Sequence, residues 1–229
     1  MRAPARFGPE FLGFLTDLRK HNDRAWFQVH KDRYEAVVRD PFLRFIADLG
    51  PRLGTLNLPF VADPSPVGGS MMRIYRDVRF SRDKSPYKTA VAAHFSLAAR
   101  KSAAFPALYL HLEPGKSSVG GGIWRPEPPT LRKIRNAIVR DSQRWQRITS
   151  HRAFRSTYTM SGDSLKRLPA GFDPDHPSAA DLKRKDFIVG SRLDDREITS
   201  RDFVASVIAR YKTALPFMRF LAESVGVSS

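Results

Sequence analysis

The sequence predicts an α+β domain: a central antiparallel sheet of about four or five strands in a meander, flanked by N- and C-terminal helices. Three observations predict it. Apolar residues recur with a period near 3.6 in the first quarter of the chain and again after Leu131, but with a period of 2 between Met72 and Trp124. The period-2 segments follow one another through short connectors, which favours a meander over alternating strand–helix–strand units. Composition never shifts sharply enough to mark a linker, so one domain over residues 1–229, with a core from about residue 8 to about residue 225, is expected.

The helices come first. Pro9 opens a segment in which Phe11, Phe14, Leu15 and Leu18 share one face, and a proline in a first turn loses no hydrogen bond. Asn22 is the expected N-cap of a second helix carrying Trp26, Phe27, His30, Tyr34, Val37 and Val38, most of them core residues. Asp40-Pro41 is expected to restart a third helix with Phe42, Phe45, Ile46 and Leu49 inward. Residues 54–70 are rich in Pro and Gly and read as irregular.

Four strands are expected next. Met72, Ile74, Val78 and Phe80 alternate with Arg73, Tyr75, Asp77 and Arg79. Val91, Ala93, Phe95 and Leu97 alternate with Ala92, His94 and Ser96, and Leu108, Leu110 and Leu112 with Tyr109, His111 and Glu113. Residues 117–124 form a Gly-broken fourth strand. Alternation of this kind gives one buried and one wet face. Beyond them, Leu131, Ile134, Ile138 and Val139 mark a helix, and Trp145 and Ile148 a shorter one. Residues 161–178 read as a long loop, and residues 187–193 as a strand at the sheet edge. The run Thr199-Ser200-Arg201-Asp202 resembles a capping box for a helix with Phe203, Val204, Val207, Ile208 and Tyr211. Pro216 is expected to start or kink a last helix with Phe217, Phe220 and Leu221.

Bulk properties exclude several functions. There is no cysteine, which removes disulfides, thiolate nucleophiles and Cys-based metal sites. No apolar run approaches the ~20 residues of a membrane span, and the N-terminus carries no secretory pattern. A cytoplasmic, non-membrane protein is therefore expected; the oligomeric state stays open. With 229 residues the chain buries roughly 70–75% of its unfolded surface and needs no metal staple. Its 39 basic residues against 23 acidic ones give a net charge of +16 and suit an anionic partner, either a small molecule or a nucleic acid. The competing explanation is compositional, because the basic residues are spread along the chain without a block of like charge.

Chemistry concentrates between Arg73 and Lys88. On the strand reading Arg76 faces the same way as Ile74 and Val78, so it needs a buried carboxylate partner or a twist in the strand. Arg73, Arg76, Arg79, Lys84 and Lys88 are the candidate anion contacts, since guanidinium grips phosphate or carboxylate in two-point fashion. Asp77 and Asp83 are candidates to orient the arginines or to act as a base. His94 and His111 lie on successive strands on the polar face; with Glu113 and Asp77 they would form an acid–base or metal group only if they converged. No metal site is expected. Asp173, Asp175 and His176 read as turn residues between prolines. Gly120-Gly121-Gly122 lacks the spacing of a phosphate or dinucleotide loop, and Ser81 and Ser85 lack a nucleophile-elbow context.

The stretch from Arg76 to Lys88, R-D-V-R-F-S-R-D-K-S-P-Y-K, resembles the signature of a bacterial and fungal family known only as domain of unknown function 2461. The resemblance extends to Asn22, Trp26-Phe27 and Tyr34 upstream. Downstream it takes in Tyr109 to Gly115, Gly120-Gly121-Gly122 and Leu165 to Pro177, and it covers roughly Phe11 to Tyr211. It implies one full-length domain and carries no activity, catalytic residue or cofactor. Three functions remain: an enzyme or ligand-binding domain for an anionic, phosphorylated small molecule, a nucleic-acid-binding module, and an interaction domain in which the motif is a structural ion-pair network.

Overall fold

The computed structural model describes residues 7–97 and 105–227. Its frame is a five-stranded antiparallel sheet with helices from both ends of the chain packed on one face. The strands are β1 (Val91–Ser96), β2 (Ala107–Leu112), β3 (Ser118–Ile123), β4 (Thr159–Ser161) and β5 (Phe187–Arg192), in the order β1-β2-β3-β5-β4. The meander holds for β1 to β3. The strand expected at the edge, β5, lies inside the sheet between β3 and β4, and the edge is the three-residue β4. That segment was too short and too polar to read as a strand.

Phe95, Leu108, Leu110, Leu112, Val119, Phe187 and Val189 point to the helices and are buried. Against them lies α10 (Phe203–Ser224), an uninterrupted helix that runs through Pro216 rather than restarting there. Its Tyr211 hydroxyl donates to the Tyr109 carbonyl (3.2 Å). Gly121 makes the approach possible, because a Cβ there would lie 3.1 Å from the Met218 thioether and 2.8 Å from the Ala107 carbonyl. The expected capping box does not form: α10 starts at Phe203, Asp202 makes no side-chain cap, and the Ser200 hydroxyl accepts from the Asp202 amide. The Asp side chain is one carbon shorter than the Glu that closes such a box.

The N-terminal helices α1 (Pro9–Lys20), α2 (Arg24–Val29), α3 (Lys31–Tyr34) and α4 (Asp40–Leu53) bring Phe7, Phe11, Phe42 and Phe45 together with Phe203. Burying each of these rings contributes about 1.5–3 kcal/mol. Asp40-Pro41 opens α4 as expected, with Phe42, Phe45, Ile46 and Leu49 buried, but without a break from the helix before it. A widened π-turn, Glu35–Arg39, joins α3 to α4, with the Asp40 amide reaching back to the Glu35 carbonyl. The wider turn accommodates a proline ring that would clash with the carbonyl four residues earlier in a regular helix. On the other side, α5 (Pro128–Arg140), α6 (Ser142–Ser150) and α7 (Arg152–Thr157) surround Trp145, which packs on Phe187, Phe217 and Phe220 and donates to Asp181 (2.8 Å). Two single-turn helices, α8 (Ala179–Leu182) and α9 (Asp195–Ile198), complete the set.

The strand expected from Met72 to Phe80 does not form. Residues 60–72 run irregularly along the outer edge of β1, joined by the Phe60–Leu97 and Met71–Ala93 bridges and by the Met72 amide on the Ala92 carbonyl (2.8 Å). The chain then leaves the sheet. Residues 73–88 form an excursion held by one bridge, Tyr75–Tyr87, with Arg76 amide to Pro86 carbonyl (2.9 Å) and Lys88 amide to Ile74 carbonyl (2.7 Å). Of the expected inward set only Ile74 is buried; Phe80 is 96% exposed. Alternation here reflects a twisted hairpin over the sheet rim, not a strand within it.

Candidate functional site

Asn22 ties this excursion to the helices. It was expected as an N-cap, but Asp23 takes that role, accepting from the Trp26 amide (2.8 Å). Asn22 instead bonds both backbone groups of Tyr87: its Nδ2 donates to the carbonyl (3.0 Å) and its Oδ1 accepts from the amide (3.0 Å). A primary amide carries the same donor–acceptor pair as a peptide, so Asn22 completes a sheet-like pairing with one residue. The Tyr87 ring stacks on Phe27 (4.1 Å).

The docked excursion closes a cavity of about 550 Å³ over the open face of the sheet. Arg19 from α1, Arg76 and Lys88 from the excursion, Tyr109 and His111 from β2, and Glu113 just beyond β2 line it. Arg76 has the carboxylate partner that the sequence demanded, Asp83 at 2.5 Å, but the pair lies at the cavity wall rather than in the core. The Ser85 hydroxyl (2.6 Å) and amide (2.9 Å), with Arg76, hold the Asp83 carboxyl well below the usual range. Asp83 is thus a fixed anion and a poor base. Burial, aided by the charge of Arg73, lowers the pKa of Lys88, whose Nζ donates to the Arg73 carbonyl (2.8 Å). The Arg19 side chain makes no hydrogen bond or ion pair among the described residues. Three cations against two carboxylates leave the cavity a net charge of +1.

The alternation of β2, continued one residue past its end, puts Tyr109, His111 and Glu113 on one face. His111 Nε2 lies 3.2 Å from Glu113 Oε2, and the Tyr109 hydroxyl 3.4 Å from His111 Nδ1. A carboxylate only accepts, so Nε2 carries the proton and, in the neutral ring, Nδ1 accepts the hydrogen bond that the Tyr109 hydroxyl donates. Thr89 steadies the other Glu113 oxygen (3.4 Å). Burial raises the pKa of Tyr109, which keeps the phenol protonated and able to donate.

Other candidates fall elsewhere. Arg79 pairs with Asp77 (2.8 Å), which lowers the Asp77 pKa, and both are exposed outside the cavity. Lys84 donates to the Val78 carbonyl (3.0 Å) and Arg73 is exposed; neither lines the cavity. The two histidines do not converge. His94 pairs in register with Tyr109, not His111, contacts Ser96 (3.2 Å) and opens on a second cavity, where desolvation lowers its pKa. Asp173 and His176 accept from backbone amides two residues on, as turn residues do. Among the described residues no group of His, Asp and Glu is placed to hold a metal ion. Sequence reasoning missed Arg19 and Tyr109. The i, i+2, i+4 spacing of Tyr109, His111 and Glu113 was a usable signal; nothing local announced Arg19.

The fold and site define an α+β domain with a basic cavity on an open sheet face. By its match to the family model described as a conserved hypothetical protein, DUF2461, over residues 10–220, the chain belongs to that family. No curated protein and no solved structure matches it. Among the described residues no helix is long and apolar enough to cross a membrane.

Proposed function

We propose that the chain is an enzyme-like domain that binds a small phosphorylated molecule in the first cavity and moves a proton on it through His111. The observation that carries this reading is the convergence of Arg19, Arg76 and Lys88 with the Tyr109–His111–Glu113 chain in one concavity. The guanidinium and ammonium groups hold the anion. Glu113 holds the ring through Nε2, so the proton moves at Nδ1: the Tyr109 hydroxyl takes a proton from the bound molecule as it passes its own to His111 Nδ1, and the reverse transfer returns it. A concave site favours a small ligand over nucleic acid, which requires an extended basic face. The absence of cysteine is compatible with a cytoplasmic setting.

The test is calorimetric titration with inorganic phosphate and a panel of phosphate esters, followed by turnover assays on those that bind. Arg19→Ala with Arg76→Ala should abolish binding, while His111→Gln should retain binding and lose turnover. Binding unchanged in the double variant would refute the reading. A response to oligonucleotides alone, lost at high salt, would transfer it to nucleic acid.

A further inference from the structure

A second cavity, of about 580 Å³, adjoins the first and shares Met72 and Tyr109 with it. Its floor is bare backbone. Gly120 and Gly122 on β3 and Gly190 on β5 lie side by side, with Gly120 and Gly190 in register. Packing explains two of these glycines. A Cβ on Gly120 would sit 1.9 Å from the Val189 carbonyl oxygen, and one on Gly122 2.0 Å from that of Phe187. Packing does not explain Gly190, where a Cβ would meet nothing within 4 Å. Glycine inside a strand sacrifices stability, and its presence fits close approach by a ligand.

The walls are Phe105, Tyr109, Met72, Ile188 and Trp124. Trp124 is 61% exposed and carries the Arg125 guanidinium against its ring (4.7 Å). The floor's amides and carbonyls serve sheet pairing, so it presents flat apolar surface rather than free polar groups. A slot with a glycine floor and aromatic walls fits a planar ring. Tyr109 and His111 are two residues apart, about 7 Å along the strand, so one small molecule reaches both cavities.

We infer that the second cavity holds an aromatic or heteroaromatic ring of the same molecule whose phosphate occupies the first, making the ligand a phosphate ester of a ring compound. This rests on the reading of the first cavity. The decisive comparison titrates 1-naphthyl phosphate against inorganic phosphate on the wild-type chain, on Gly190→Leu, which fills the slot, and on Trp124→Ala, which removes a wall. Because Trp124 is largely exposed, that variant remains informative if Gly190→Leu fails to fold. Wild type should bind the naphthyl ester about tenfold more tightly than phosphate, the gain of one aromatic stacking contact. Either variant should erase that gain and leave inorganic phosphate affinity unchanged. Equal affinity for both probes, or a ring gain that survives both variants, would overturn this inference and leave the anion site standing. Binding of neither probe would overturn both.

Discussion

Replacing Asn22 by alanine removes the side chain that, among the described residues, bonds the excursion to the helical layer through its backbone. Two hydrogen bonds of 3.0 Å are lost, each with a net value of roughly 0.5–1.5 kcal/mol. Tyr87 is only 3% exposed, so its amide and carbonyl are poorly placed to recover water. We therefore expect a loss of about 2–3 kcal/mol, or roughly 5–10 °C in Tm for a chain of this size. The Phe27–Tyr87 stack persists, so the excursion should open locally before the core melts. Limited trypsin digestion reads that opening at Arg79, Arg82 and Lys84, all exposed, with cleavage faster in the variant. Asn22→Asp is the control. It keeps an acceptor for the Tyr87 amide, loses the donor to the carbonyl, and should fall between wild type and alanine or below both. If Asn22→Ala melts within about 2 °C of wild type and is cleaved no faster, the anchor argument is refuted.

Gly121→Ala should cost about 1–3 kcal/mol, read by denaturant unfolding, because its Cβ meets the Ala107 carbonyl and Met218; Gly190→Ala on the adjacent strand should cost nothing or stabilise. Burial raises the pKa of Tyr34, Tyr158 and Tyr211 above the ordinary tyrosine value of 10.0. The unfolded chain ionises near that value while the folded chain does not, so the stability these phenols contribute is intact below it and lost as pH rises above it, at about 1.4 kcal/mol per pH unit for each. Absorbance at alkaline pH should accordingly show these phenols ionising only together with unfolding. Asp186→Ala should destabilise by about 1–3 kcal/mol for each amide it strands, since the buried carboxylate accepts from Arg125 (2.7 Å) and Asp163 (2.9 Å). The variant should also shift Trp124 fluorescence, because Arg125, at φ 48°, is stacked on that ring.

Elements with a long, regular burial pattern were legible. The Phe11–Leu18 face, the two strands β1 and β2 and the Phe203–Tyr211 face follow their apolar periods, because one-sided burial imposes that period on sequence. Residues 73–80 show the limit of the method. Their alternation is real, yet the backbone pairs with its own hairpin partner, the 86–88 arm that Asn22 holds at Tyr87, rather than with the sheet. Periodicity reports which side chains have two environments, not which strand supplies the hydrogen bonds. Asn22 itself was misassigned because a cap and a backbone mimic use the same amide chemistry, and only the position of Tyr87, 65 residues away, distinguishes them.

The same distinction explains why two of the five basic residues of the motif, Arg76 and Lys88, reach the cavity and three do not. A continuous strand would have placed Arg73, Tyr75, Asp77 and Arg79 together on one face and sent Arg76 to the other. The twisted excursion turns Arg76 and Lys88 toward β2 and leaves Arg79 paired with Asp77 in solvent. On the function proposed above, the motif serves two purposes at once. Asp77, Arg79 and Lys84 hold the turn through the Asp77–Arg79 pair and the Lys84–Val78 bond, while Arg76 and Lys88 face the histidine. The structural and functional readings of this segment divide by residue and do not exclude each other. A variant of Arg79 should accordingly alter the stability of the turn and not phosphate affinity, and one of Lys88 should weaken phosphate binding.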